Sequence, residues 1–221
     1  MQTRSALLLG ASGLIGEHLL RLLVDDEAYD RVTAPVRKPL SFRHTKLRER
    51  VVDFDHLDKQ RDALQAHDVF CCLGTTIRVA GSQAAFRKVD FTYVVQAASI
   101  AAANGAERFL LVSSLGADKN SSAFYLRVKG EVEEAVSNLP FKRVQIFRPS
   151  VLIGNRKESR LSETFAIAAM KLLSIALVGR LRRYRAIEAK TVARAMLSVA
   201  KEQSAGVTVY ESEHIQILGQ A

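Results

Sequence analysis

With 221 residues, 48% of them hydrophobic and 25% charged, the chain has the make-up of one ordinary globular domain. That excludes a disordered chain, a collagen-like repeat and a disulfide scaffold. The 32 basic residues exceed the 23 acidic ones by nine, which sets the sign of possible partners but not the fold.

Ser5–Leu9 reads as a first strand and Leu14–Leu23 as the helix after it. Strands follow at Arg31–Ala34, Leu47–Val52 and Asp68–Cys72. A long helical pattern runs from Ser82 to Ala103, with Asn104 and Gly105 as its stop signal. Arg108–Ser113 is a fifth strand, Ala123–Ser137 a helix, and Arg143–Phe147 a sixth strand closed by Pro149. Ala6 to Leu9 and Phe109 to Val112 are apolar throughout, as strands buried on both faces are. Strand–helix alternation of this kind predicts an α/β fold of the Rossmann type, a doubly wound parallel sheet with helices on both faces. Beyond Pro149, helices at Glu163–Val178 and Glu188–Ala200 and a strand at Val207–Glu211 are expected. They would form a small substrate-side lobe from residues 150–221, within a single domain spanning 1–221.

Directly after the first strand comes Gly10-Ala11-Ser12-Gly13-Leu14-Ile15-Gly16, with a helix opening inside it. Gly10 allows a tight turn, Gly13 lets the backbone approach a pyrophosphate, and Gly16 lets the helix pack against the strand. The helix N-terminus then presents free N–H groups to phosphates. The strand–loop–helix context is what turns a glycine cluster into a dinucleotide motif. After the second strand the chain carries Arg37 and Lys38, where an NAD site would want a carboxylate. An Arg fork and a Lys point charge suit a 2′-phosphate, so NADP(H) is the expected cofactor. Asp53 closes the third strand; it reads either as an acceptor for the adenine amino group or as a helix cap.

Tyr125 and Lys129 stand four apart on a predicted helix and so share a face. That helix follows a strand ending in Ser113 and Ser114. A carbonyl reductase needs a proton donor beside the hydride acceptor, and a tyrosine serves if a nearby ammonium favours the phenolate. A serine hydroxyl adds a hydrogen bond to the substrate oxygen.

GASGLIG, the serine pair and Tyr-x-x-x-Lys together resemble the atypical short-chain dehydrogenases/reductases. Within that group the chain is similar to the Tat-interacting-protein oxidoreductase family. The strings that carry the likeness are VVDF at 51–54, CCLGTT at 71–76, SSLGADK at 113–119, YLRVKGEVE at 125–133, FRP at 147–149 and RKESR at 156–160. The resemblance implies NADP(H) binding, with Gly10 to Gly16 at the pyrophosphate and Arg37 and Lys38 at the 2′-phosphate. It implies that Leu73 and Gly74 line the adenosine and nicotinamide ribose side, and that Pro149 borders the nicotinamide. Tyr125 and Lys129 would be the catalytic pair. Side chains alternate along a strand, so only one of Ser113 and Ser114 should face the site, and Ser114 is chosen. The likeness fades after Leu161, so the substrate pocket is expected to differ.

Cys71 and Cys72 are adjacent and cannot staple distant segments. No histidine has metal-ligand spacing, so no metal is expected. The apolar start is broken by Gly10, Ser12 and Gly13, and the 165–178 stretch is too short to span a bilayer. A cytoplasmic protein with no membrane span is therefore expected. Basic residues gather at 37–50 and in the four arginines of 180–185, where Tyr184 is the lone interleaved aromatic. That pattern does not argue for specific nucleic-acid binding. The expected partner is a small carbonyl or quinone-like substrate, the expected state a monomer or homodimer. A second reading is an NADPH-binding sensor with little turnover.

Overall fold

Residues 3–154, 184–203 and 205–220 are described by the computed structural model. Its first half-unit is β1 (Arg4–Leu9), α1 (Leu14–Asp25), β2 (Tyr29–Val36) and β3 (Leu47–Val51). A 3₁₀ stretch, Phe54–Leu64, leads to β4 (Asp68–Cys71). A short α2 (Ile77–Ala80) precedes the expected long helix, which forms as α3 (Gln83–Arg87) and α4 (Tyr93–Ala103) joined by a π-turn at Lys88–Thr92. Next come β5 (Arg108–Val112), α5 (Phe124–Ser137) and β6 (Arg143–Arg148). The remaining elements are β7 (Leu152–Ile153), β8 (Ile187–Glu188), α6 (Ala189–Ala200), β9 (Gly206–Glu211) and α7 (Ser212–Leu218).

Seven strands form one sheet in the order β3-β2-β1-β4-β5-β6-β9, and each neighbouring pair is parallel. Parallel pairing demands crossovers, and the helices supply them on both faces. β1 shows the consequence directly. Ala6 and Leu8 point into the core under α1 and α6, while Leu7 and Leu9 point into the core under α4 and α5. All four are fully buried.

Strand order reverses beside β1: the chain runs outward to β3 and returns to β4 on β1's other side. The loops after β1 and β4 therefore diverge, and a crevice opens at the carboxyl edge, where ligands of such sheets bind. The amino edge is closed instead. Buried Asp68 of β4 takes Arg4 of β1 at 2.8 Å, Arg108 of β5 at 3.2 Å and the Tyr29 hydroxyl of β2 at 2.9 Å. Four strands are clamped at the end opposite the crevice.

The helix expected at 188–200 and the strand expected at 207–211 form but sit differently. β9 pairs with β6 from Arg143↔Gly206 to Arg148↔Glu211, which makes it the seventh strand of the main sheet. Met196 and Val199 of α6 share a core with Leu19 and Leu23 of α1. Both elements have apolar faces that the sheet layer can bury, so neither stands apart in a lobe. On the lobe side, the described residues form the small β7–β8 pair. The helix expected at 163–178 and the arginines at 180, 182 and 183 lie outside the described residues. Among the described residues no helix is long and apolar enough to cross a membrane.

Candidate active site

The crevice starts at the glycine loop. Gly10 has φ +82°, and a Cβ there would come within 2.6 Å of the Cys72 carbonyl oxygen. A Cβ on Gly16 would overlap the carbonyl oxygen of Gly10. The turn and the close helix approach thus require glycine. The Gly13 N–H bonds the Gly10 carbonyl at 2.9 Å, and Gly13 caps α1 with no side-chain cap bond. The first-turn amides of α1 have no partners within the helix and point, with the positive dipole end, into the crevice. That is a cradle for a diphosphate.

Two cavities of about 500 and 630 Å³ share Ser12, Gly13 and the 72–76 turn after β4, so they are two halves of one cleft. Arg37, Phe54 and Tyr93 line the first half. Leu14, Ile15, Ser113, Tyr125, Lys129 and Leu152 line the second. Leu73 and Gly74 line both. A two-part cleft with a diphosphate cradle at its middle fits a dinucleotide.

Several expected residues sit elsewhere. Lys38 is exposed and is not among the lining residues, although its neighbour Arg37 is. Asp53 acts as the helix cap: its Oδ1 accepts the Asp55 N–H at 2.9 Å, and its Oδ2 lies 2.7 Å from His56 Nδ1. Pro149 is buried, its carbonyl accepting the Leu115 N–H at 2.9 Å, and Leu152 reaches the cleft instead. Of the two serines, Ser113 lines the cleft and Ser114 does not, which reverses the expected choice. Alternation itself decides it: Phe109 and Leu111 face the core under α4 and α5, so Ser113 turns to α5 as well. The Ser113 hydroxyl donates to Glu133 on α5, which Arg148 grips in turn at 3.0 and 2.6 Å. Ser114 Oγ donates to the Leu115 carbonyl at 3.4 Å.

Tyr125 opens α5 and packs on the buried ring of Phe86, 5.6 Å between centroids. Lys129 lies one turn on, with a side chain only 7% exposed. Its Nζ is 2.8 Å from Asp90 Oδ1. Asp90 is buried at the centre of the π-turn, and its Oδ2 accepts the Thr75 N–H at 2.8 Å. Burial alone would draw the lysine downward; the charges of Asp90 and then Tyr125 outweigh it and hold the ammonium above its usual value. Gly74 lies over the pair, and a Cβ there would stand 3.3 Å from Asp90 Oδ1. Asp90 is the residue that the sequence reading missed. Its signal was an acid four positions from both Phe86 and Val94, on a stripe that should be apolar. The Cys71 thiol is fully buried, and burial pushes it up to about 12, so it is inert at neutral pH.

A family model described as NAD(P)H-binding matches residues 10–164. Protein HTATIP2 of Rattus norvegicus is 46% identical over 170 residues, spanning 75% of this chain and 70% of its own length. The protein fmp52, mitochondrial, of Aspergillus fumigatus is 32% identical over 223 residues, 96% of this chain and 93% of its own. FMP52, mitochondrial, of Candida glabrata is 38% identical over 164 residues, 72% and 68% of the two chains. Among solved structures, MoeE5 in complex with UDP-glucuronic acid and NAD superposes with a TM-score of 0.70 at 20% identity, over 93% of this chain and 75% of that one. At that identity the likeness speaks for the fold. The names of the fungal relatives overturn the expected cytoplasmic location, since those proteins are mitochondrial by name.

Proposed function

The chain belongs to the NAD(P)H-binding family, and on that premise we propose that it is an NADP(H)-dependent oxidoreductase of the short-chain type, acting on a small carbonyl or quinone-like substrate. The observation that carries the reading is that Tyr125 and Lys129 line the same cleft as Ser12 and Gly13. Proton donor and diphosphate cradle are thus parts of one site.

The bound cofactor would supply the hydride. The first-turn amides of α1 bind the diphosphate through N–H groups, and Gly13, with no side chain, lets the backbone approach it. Arg37 lines the adenosine half and offers its guanidinium to the 2′-phosphate, with exposed Lys38 adding charge at longer range. Leu73 and Gly74 give a smooth backbone wall to both ribose sides. Lys129 donates to the nicotinamide ribose and places its positive charge beside Tyr125. Tyr125 passes its proton to the substrate oxygen as the carbonyl carbon is reduced, which leaves an alcohol. Leu14, Ile15, Val112 and Leu152 keep water from the reacting end. Ser113 has its proton committed to Glu133, so Tyr125, and not Ser113, donates to the substrate carbonyl oxygen.

The test is NADPH oxidation by the purified protein across a panel of aldehydes, ketones and quinones. Saturable turnover of at least one class is expected. Tight NADPH binding with no turnover anywhere in the panel would replace this reading with that of a sensor.

A further inference from the structure

We propose that α2 is a lip that swings as a unit onto the bound dinucleotide, Val79 meeting the cofactor while Ile77 comes down over the substrate half of the cleft. The identity of the ligand rests on the function given above; the hinge does not.

α2 is a single turn, Ile77–Ala80, and none of its residues is buried. Its hydrogen bonds hold the turn's own shape. Thr76 Oγ1 accepts the Val79 N–H at 3.2 Å, the Thr76 carbonyl accepts the Ala80 N–H at 2.8 Å, and the Gly81 N–H returns to the Ile77 carbonyl at 2.9 Å. The flanks are fixed instead to the body of the fold. On one side the Thr75 N–H donates to buried Asp90 at 2.8 Å. On the other, Ser82 Oγ accepts the Ala85 N–H at 3.1 Å and opens α3, whose Phe86 is fully buried. Between α2 and Ser82 stands Gly81, with φ +83° and open space where a Cβ would be. Glycine crosses between backbone wells at such a place without a clash, and a lid needs only a few residues of that kind to turn.

The turn straddles the waist of the cleft. Two residues apart on a helix are rotated by about 200°, so they face opposite ways. Accordingly Val79 and Ala80 line the half that holds Arg37, while Ile77 lines the half that holds Tyr125. Val79 is 64% exposed and Ile77 39%, although both border a ligand cleft. Burying that apolar surface against a ligand favours the closed position. A ligand shifts such an equilibrium only through contacts that it makes better in one state, and these are contacts of that kind. Because the turn moves whole, cofactor contact at Val79 carries Ile77 with it, so the substrate half closes only after the cofactor is in place.

The experiment measures the distance between nitroxide labels on Arg78→Cys and His18→Cys by pulsed electron resonance. His18 is exposed on α1 and lines the same half as Ile77. Burial raises both native thiols well above the ordinary range, so Cys71 and Cys72 stay unlabelled. A reference pair, His18→Cys with Glu134→Cys, joins two long helices. Without cofactor the 18–78 distribution should be broader than the reference; NADPH should narrow it and shorten its mean. A distribution unchanged by NADPH, in a sample that NADPH fluorescence shows to be saturated, overturns the proposal. Val79→Ser should release NADPH about fivefold faster, since the lip loses its apolar hold, and an unchanged release rate also overturns it. If the unaltered protein binds no NADPH, the proposed function fails. The hinge is then judged on the free protein, where an 18–78 distribution as narrow as the reference refutes it and a broader one supports it.

Discussion

Gly16 packs so tightly under Gly10 that a single methyl group on it would overlap the Gly10 carbonyl oxygen. The obstacle is backbone on both sides, so it cannot swing away as a side chain tip would. Gly16→Ala should therefore shift the whole loop, lowering stability by about 1–3 kcal/mol and abolishing most NADPH affinity. Gly105→Ala is the control. Gly105, unlike Gly16, has a positive φ, but open space surrounds it and it lies at the far end of α4. It should lose only about 1–2 kcal/mol of stability and keep its affinity for NADPH. Chemical denaturation and cofactor titration on the two variants separate these effects.

Cofactor choice should depend on Arg37 more than on Lys38, because only Arg37 lines the cleft. A charge-assisted hydrogen bond contributes about 1.5–3 kcal/mol, roughly ten- to a hundredfold in affinity. Arg37→Ala should reduce the NADPH-over-NADH preference by about that factor, and Lys38→Ala by much less. Isothermal titration with both cofactors checks it; equal affinities in the unaltered protein would sink the assignment.

The two serines should behave unequally. Ser114→Ala removes one long contact to a neighbouring carbonyl and should change stability by less than about 0.5 kcal/mol. Ser113→Ala takes a donor from buried Glu133 and should be destabilising by about 1.5–3 kcal/mol. It should also lower turnover more than Ser114→Ala does. Melting curves and steady-state rates on the pair decide the matter.

Acid should loosen the amino edge of the sheet. Lys142 and then Arg4 hold the Glu107 carboxyl at about 2, below its ordinary 4.5. A carboxylate lowered in the folded state adds stability that is fully present above about pH 4.5 and is lost as pH falls toward 2. Glu107 is partly exposed, so its contribution is about 1 kcal/mol or less. Glu107→Gln should flatten that part of the stability–pH curve, which denaturant titrations between those limits would show.

The parts of this molecule that were legible from sequence are those set by local pattern. Buried strands announced themselves as apolar runs such as Ala6 to Leu9, and the glycine loop by its place between a strand and a helix. Strand order is not local. Val207–Glu211 reads as a strand, but nothing in its residues says that it pairs with β6 and completes the main sheet. The π-turn is invisible for a related reason. One extra residue in a helical turn barely disturbs the pattern from Ser82 to Ala103, yet it turns Asp90 inward to Lys129. Asp53 shows the limit at single residues, since a capping acid and a ligand-binding acid look alike until the Asp55 amide is seen on its carboxylate.

The central claim is that the Tyr125 hydroxyl is the proton donor in a cleft that holds NADPH independently of it. Single-turnover oxidation of NADPH by Tyr125→Phe, measured beside NADPH affinity with an accepted substrate, tests this most directly. The account predicts affinity within about twofold of the unaltered protein and a rate lower by about 10²-fold or more. A Tyr125→Phe variant that transfers hydride at the unaltered rate would contradict it.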